Sequence, residues 1–272
     1  MLESDVSSLK RMLTVLDVFS PANLVCGADE IAGRLNYSRG TTYRYIRELC
    51  AAGLLSRMPA GFTLGPRIIE LDLAIRQCDP VLASARPAME ALRDRFHCDV
   101  LLIYFFDDRV VVSHHERGTD ALQVSYGRGH VMPLFRGAGS KVLLANLSPP
   151  RQRRLFQAHK AEVAACGLGE DWKSFRAAMV AFQRAGTAVS VGELDEGNVG
   201  VAASIAGAQP NHPSGFVMVF GTARYAILDK ALVAEAVRDA ATQVGTTLKA
   251  DNLAAYGFGS MHDTARGASN AF

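Results

Sequence analysis

This 272-residue chain lacks the cysteine patterns that mark a metal or disulfide protein. Its five cysteines (Cys26, Cys50, Cys78, Cys98 and Cys166) are scattered and form no CxxC pair. Neither a zinc site nor a disulfide framework is suggested, and a reducing compartment is expected. Bulk charge of one sign is missing too: 29 Lys and Arg stand against 27 Asp and Glu, a net of +2. Any nucleic-acid partner must therefore meet a local patch. No run approaches the roughly 18 uninterrupted apolar residues of a membrane span. The opening MLESDVSSLK carries acids where a secretion signal carries bases, and no apolar stretch follows. The expectation is a soluble cytoplasmic protein without membrane, metal or cofactor partners. What is abundant is apolar material, 49% of residues, enough for one large domain or two ordinary ones.

Leu9, Met12, Leu13, Leu16 and Phe19 follow helical spacing and stop at Ser20-Pro21. ADEIAGRL predicts a second helix, with Asp29 and Glu30 in its first turn. Ser38 is a candidate N-cap for a third helix, on which Thr42, Ile46 and Leu49 face inward and which Gly53 ends. LLSRMPAGFTLG reads as two short strands around Pro59-Ala60-Gly61. Three short helices and a hairpin make a winged helix-turn-helix over residues 1–65.

Helical spacing resumes from Pro66, and residues 66–80 are expected to form a linker helix. Residues 81–250 then read as a second domain. VLLIYFF and RVVVSHHE form a hairpin about Asp107-Asp108, and LQVSY and HVMPLF are weaker strands. Helices are expected at 138–147, 149–160, 170–185 and 226–249, and strands at AVSVGEL, VGVAASI and GFVMVFG, the last two separated by AGAQPNHPS. The fold class is α+β in two domains, the second with a mainly antiparallel sheet. Residues 251–272, rich in Gly, Ala and Ser, are expected to be a disordered tail.

On the third helix, Arg39, Thr41, Tyr43, Arg44 and Arg47 are left facing wholly or partly outward. Arginine forks match guanine O6 and N7, and hydroxyls reach bases or phosphates. Residues 34–67 hold six arginines and one acid, a net of +5, whereas residues 1–33 carry −3. Positive charge is thus segregated onto the third helix and the wing, with Ser38 and Arg57 beside it. Two readings stay open beside DNA binding: a merely solvated arginine face, and a winged helix used as a protein-interaction module.

Catalytic motifs are scarce. GAGSKV does not satisfy GxxxxGK[ST], because Gly139 is followed by Ser140-Lys141. His114 and His115 are neighbours on a strand and point to opposite faces. GELDEG offers Glu193, Asp195 and Glu196, which a turn between strands explains. No GxSxG occurs. No catalytic constellation emerges and no enzyme is expected. The rival from another class is a small-molecule binding or catalytic α+β protein whose winged helix binds protein.

The pattern SLKRMLTVLDVFS…ADEIAGRLNYSRGTTYRYIRELCAAGLLSR…FTLGPRIIEL resembles the N-terminal half of IclR-type bacterial transcriptional regulators. PLFRGAGSKVLLA and VGELDEGNVGVAASI resemble two later family segments, so the likeness spans about residues 8–249. The resemblance implies a winged helix-turn-helix followed by a GAF-like effector-binding domain. It implies homodimers or homotetramers on near-palindromic double-stranded DNA, controlled by a small-molecule effector such as an organic acid or an aromatic catabolite. By matching positions, Thr41 and Arg44 fall in the recognition helix. Ala138 and Gly139 fall where backbone amides meet a ligand carboxylate, and Ser190 and Gly200 where two strands line the pocket. Departures from the family pattern are Phe135, Ser140, Ser204 and Gly200. A neighbourhood of Phe135, Met132 and Met218 would suit an apolar or aromatic ligand, and core packing explains the same residues.

Overall fold

Ser7 starts the first helix, its Oγ accepting from Lys10 N at 3.2 Å, and α1 runs Ser8–Leu13. The expected continuation to Phe19 instead tightens into a 3₁₀ turn at Leu16–Val18. Thr14 accounts for the break: its hydroxyl donates to the Arg11 carbonyl at 2.8 Å and lies 3.0 Å from the Tyr37 hydroxyl, competing with the helical ladder. In this computed structural model, residues 7–119, 122–206 and 213–263 are described.

The chain divides into two compact units, Met1–Asp79 and Pro80–Phe272. In the first, α2 (Ala28–Leu35) ends on Asn36 in the left-handed conformation, and α3 (Arg39–Ala51) follows. At the end of α3, Gly53 at φ +72° donates to the Cys50 carbonyl and Leu54 N to the Leu49 carbonyl, closing the helix on both orphan acceptors. Strands β1 (Leu55–Met58) and β2 (Gly61–Leu64) pair from Leu55↔Leu64 to Met58↔Gly61 around Pro59-Ala60. Phe62 also exchanges both backbone hydrogen bonds with Cys26 at 2.9 Å, tying the wing to the body. Gly61 is required there: its φ is +146°, and an added Cβ would stand 2.5 Å from the Cys26 carbonyl oxygen. Val15, Ile31, Tyr45, Ile46, Leu49, Leu55 and Phe62 form this unit's core. Helix α4 (Arg67–Cys78) buries no residue.

The second unit opens with α5 (Pro80–Phe96) and the hairpin β3 (Asp99–Phe106) and β4 (Arg109–Glu116). Then come β5 (Val131–Met132), α6 (Ala138–Ala145), α7 (Pro149–Ala158), α8 (Lys160–Ala165) and α9 (Trp172–Ala185). Strands β6 (Thr187–Val191), β7 (Asn198–Ile205) and β8 (Ser214–Gly221) follow, with α10 (Thr222–Ile227) and α11 (Lys230–Asp263) after them. The described strands of this unit form one antiparallel sheet in the order β5-β4-β3-β8-β7-β6.

Helices cover both sheet faces. Val100 and Leu102 pack in one core with Met89, Phe216 and Val237, and Leu101, Ile103 and Phe105 pack in the other with Leu143 and Phe175. Double coverage explains why β3 reads as an unbroken apolar run instead of an alternating one.

Three sequence expectations change here. LQVSY is not a strand, and HVMPLF contracts to the two residues of β5, since the chain turns at Arg128-Gly129 just before them and leaves the β4 ladder after Met132. Residues 251–263, expected in a tail, continue the α11 backbone, which no proline interrupts; residues 264–272 lie outside the described ones. Most of the loop AGAQPNHPS also lies outside them.

Candidate nucleic-acid interface and effector cavity

Helix α3 is sorted cleanly into two faces. Thr42, Tyr45, Ile46 and Leu49 are buried; Arg39, Tyr43, Arg44 and Arg47 are exposed and Thr41 is half-buried. Thr42 donates to the Ser38 carbonyl at 3.1 Å, so it is a packing residue. Tyr45, which the spacing did not single out, packs edge-on against Tyr37 at 5.9 Å. Ser38 Oγ caps the helix, accepting from Thr41 N at 3.2 Å and donating to Thr41 Oγ1 at 2.9 Å. Those hydroxyls and the first-turn amides make a helix N-terminus suited to an anion.

The arginines are not equivalent. Arg39 pairs with Asp29 at 2.9 Å and Arg47 with Glu48 at 2.8 Å, both in exposed pairs. Such pairs are worth at most about 1 kcal/mol, so a phosphate can displace either carboxylate. Arg44 lies 5.3 Å over the Tyr45 ring, and on the wing Arg57 lies 5.7 Å over Phe62. Arg47, Arg57, Tyr43 and Phe62 line a cleft of about 280 Å³ between α3 and the wing. Cys50 lines it as well, but burial pushes its thiol up, against a smaller opposing pull from Arg57, so it is not a poised thiolate.

The second site lies under α6. A cavity of about 40 Å³ is lined by Ala138 and Gly139 of α6, by Ser190 and Gly200 on neighbouring strands, and by Leu101, Val217 and Val219 of the sheet. The structure therefore brings together all four residues nominated for an effector. Ala138 N donates to Ser190 Oγ at 3.0 Å. Ser190 and Gly200 face each other across the β6–β7 ladder, and a Cβ at Gly200 would come within 3.1 Å of Ser190 Oγ. A Cβ at Gly139 would meet Ile103 Cδ1 at 2.7 Å and Val217 Cγ2 at 2.8 Å, which is why α6 can lie so close to the sheet. Met132 lines the cavity, but Met218 belongs to the opposite core and Phe135 packs on His159 and Phe175, so these three residues form no common aromatic box.

Sequence reasoning dismissed GELDEG as a turn and missed its work. Glu193 accepts from Gly137 N at 2.8 Å and pairs with the Nζ of Lys141, a lysine buried within α6. A carboxylate at that helix N-terminus is favoured by the backbone dipole as well as by the lysine. The signal available was a lone lysine inside an otherwise apolar helix, which demands a partner. His114 and His115 bond separately, to Glu116 at 2.7 Å and to Asp99 at 2.8 Å. Among the described residues no His, Cys, Asp and Glu cluster could hold a metal ion, and no helix is long and apolar enough to cross a membrane.

Comparison with known proteins agrees with this geometry. Residues 8–59 match the family model described as the IclR helix-turn-helix domain, and residues 74–246 match the bacterial transcriptional regulator IclR C-terminal domain. Among solved structures, an IclR transcriptional regulator from Alicyclobacillus acidocaldarius is similar at 21% identity and a TM-score of 0.73, covering 90% of this chain and 100% of its own. An IclR family regulator from Brucella abortus is similar at 19% identity and 0.74, over 91% and 95%. An IclR homologue from Microbacterium hydrocarbonoxydans, solved with 4-hydroxybenzoate, is similar at 22% identity and 0.69, over 90% and 100%. No curated protein gives a significant match. The chain, a helix-turn-helix domain followed by an effector-binding domain, belongs to the IclR family of bacterial transcriptional regulators.

Proposed function

We propose that this regulator reads near-palindromic operators with α3 and takes a small, largely apolar effector under α6. Thr41, Tyr43, Arg44 and Arg47 meet base edges in the major groove, while Ser38, Arg39 and the wing residue Arg57 hold adjacent phosphates. The observation that carries this reading is the sorting of α3: every outward position of its middle turns is a hydrogen-bonding or cationic side chain, over a fully buried inner face.

Ala138, Gly139, Ser190 and Gly200 hold the effector, in a mostly apolar cavity with a helix N-terminus at one side. Glu193 already occupies the α6 N-terminus and Asp195 lines the wall, so a compact aromatic ligand with a hydroxyl to donate suits the lining best, and the relative solved with 4-hydroxybenzoate supports an aromatic effector. The protein performs no catalytic step and works in the cytoplasm, where its operator lies. It acts as a dimer or tetramer: α4 exposes Ile69, Leu71, Leu73 and Ile75, and α1 exposes Leu9 and Leu13, surfaces suited to a second copy.

Selection from a random duplex library tests the reading. The enriched sequence should be an inverted repeat whose half-sites lie about 10–10.5 bp apart, or a multiple of that. A single enriched half-site would contradict the dimer, and no enrichment would contradict base reading by α3.

A further inference from the structure

The cavity under α6, at about 40 Å³, is well below the roughly 150 Å³ of a cavity that holds benzene, so an aromatic molecule that enters fully displaces a wall. The walls are not equally fastened. Leu101, Gly200 and Val217 of the sheet sit in ladders paired on both sides. Helix α6 is buried along its whole length. The loop at 192–197 is fixed by Glu193 to Lys141 and to Gly137 N, and at its far end the Gly197 carbonyl accepts from both Thr222 N and Thr222 Oγ1 at 2.8 Å.

Residues 122–126 form the remaining wall. They carry Val124 and Tyr126 to the cavity and belong to no strand or helix. Among the described residues, the hydrogen bonds of this strap run through two side chains of the facing segment. Ser125 N donates to Asp195 Oδ2 at 3.1 Å, and Asn198 Nδ2 donates to the Gln123 carbonyl at 2.9 Å. Both bonds are exposed to water, which competes for each of their atoms.

We infer that residues 122–126 are the gate of this cavity and that Asp195 and Asn198 are its latch, acting as positioning residues for effector entry. The inference rests on reading the cavity as the effector site. Asp195 and Asn198 also line the cavity, so the atoms that hold the strap are within reach of an incoming ligand. A ligand donor that takes the Asp195 carboxylate, or an acceptor that takes the Asn198 amide, releases the strap as it binds. Opening and recognition then share the same two side chains, which gives the ligand a differential affinity for the open and closed arrangements.

The test places a thiol on the cavity floor with Val217→Cys in the full-length protein. Labelling at position 217 by N-ethylmaleimide, followed by peptide mass spectrometry, reports how often the cavity opens. Adding Asp195→Ala or Asn198→Ala should each raise that rate about threefold, the effect of losing one water-exposed hydrogen bond from the closed state. Native Cys98, buried in the opposite core, should keep its slow rate. An unchanged rate at position 217 in both variants overturns the gate, and so does a parallel rise at Cys98, which would mark general loosening. Should Asp195→Ala fail to fold, Asn198→Ala carries the test alone. Labelling that rises while neither 4-hydroxybenzoate nor phenol raises the melting temperature would uphold the gate and count against the effector reading. Flat labelling with clear ligand stabilisation would do the reverse.

Discussion

Helices α4 and α6 have similar apolar content and opposite surroundings. In α6, AGSKVLLA, every residue is buried, Lys141 included; in α4, RIIELDLAIRQC, none is, and Ile69 and Ile75 are 70% and 58% exposed. The sheet and α9 cover α6, so its apolar side chains complete a core within one chain. Among the described residues of its own unit, nothing covers α4 to the point of burial. An apolar helix is therefore a statement about a need for cover, and the sequence does not say whether one chain or two supply it. That difference separates the sensor, which is self-contained, from the reader, which in our reading is completed by a second copy.

Equal truncations in the two helices break or sharpen the contrast. Leu143→Ala removes a fully buried side chain of α6 and should cost about 2–5 kcal/mol in a urea melt. Ile69→Ala in α4 should leave the unfolding of the isolated protomer within about 0.5 kcal/mol of wild type and instead weaken self-association, as seen by sedimentation. Equal stability losses in the two variants would erase the distinction. Next in size is Glu193→Ala, which strands the buried Lys141 cation. The loss should be about 2 kcal/mol, below the 3–5 kcal/mol of a fully buried pair because Glu193 is 30% exposed. Glu193→Gln should cost less, since it still accepts from Gly137 N.

The reading face comes last, because its effects fall on DNA binding and not on stability. Arg44→Ala should weaken specific binding by about 1–3 kcal/mol and relax preference at one base pair. Arg39→Ala, which also breaks an exposed pair with Asp29, should weaken all duplexes alike and by less. A uniform loss from Arg44→Ala would make it a phosphate contact.

Much of the reader was legible in sequence because its signals are local. Ser38 as cap, Gly53 as stop, the Pro59 turn and the inward spacing of Thr42, Ile46 and Leu49 each act within a few residues. The exceptions have tertiary causes. Thr14 ended α1 early by bonding across to Tyr37, 23 residues away. In the sensor, the convergence of Ala138 with Ser190 and Gly200 came from matching positions in a family, not from periodicity, because those residues stand on three separate elements. The Glu193–Lys141 pair, 52 residues apart, was illegible for the same reason. LQVSY has strand spacing, yet among the described residues it pairs with no strand and runs instead along the cavity.

The central claim, that the arginine face of α3 and the wing bind duplex DNA, is tested most directly by fluorescence anisotropy of a random-sequence duplex with the full-length protein across a salt series. The account predicts binding at low salt that falls linearly on a log–log plot, with a slope of about −0.9 for each phosphate neutralised. Folded protein that binds no duplex at low salt, or binds with no salt dependence, would contradict it.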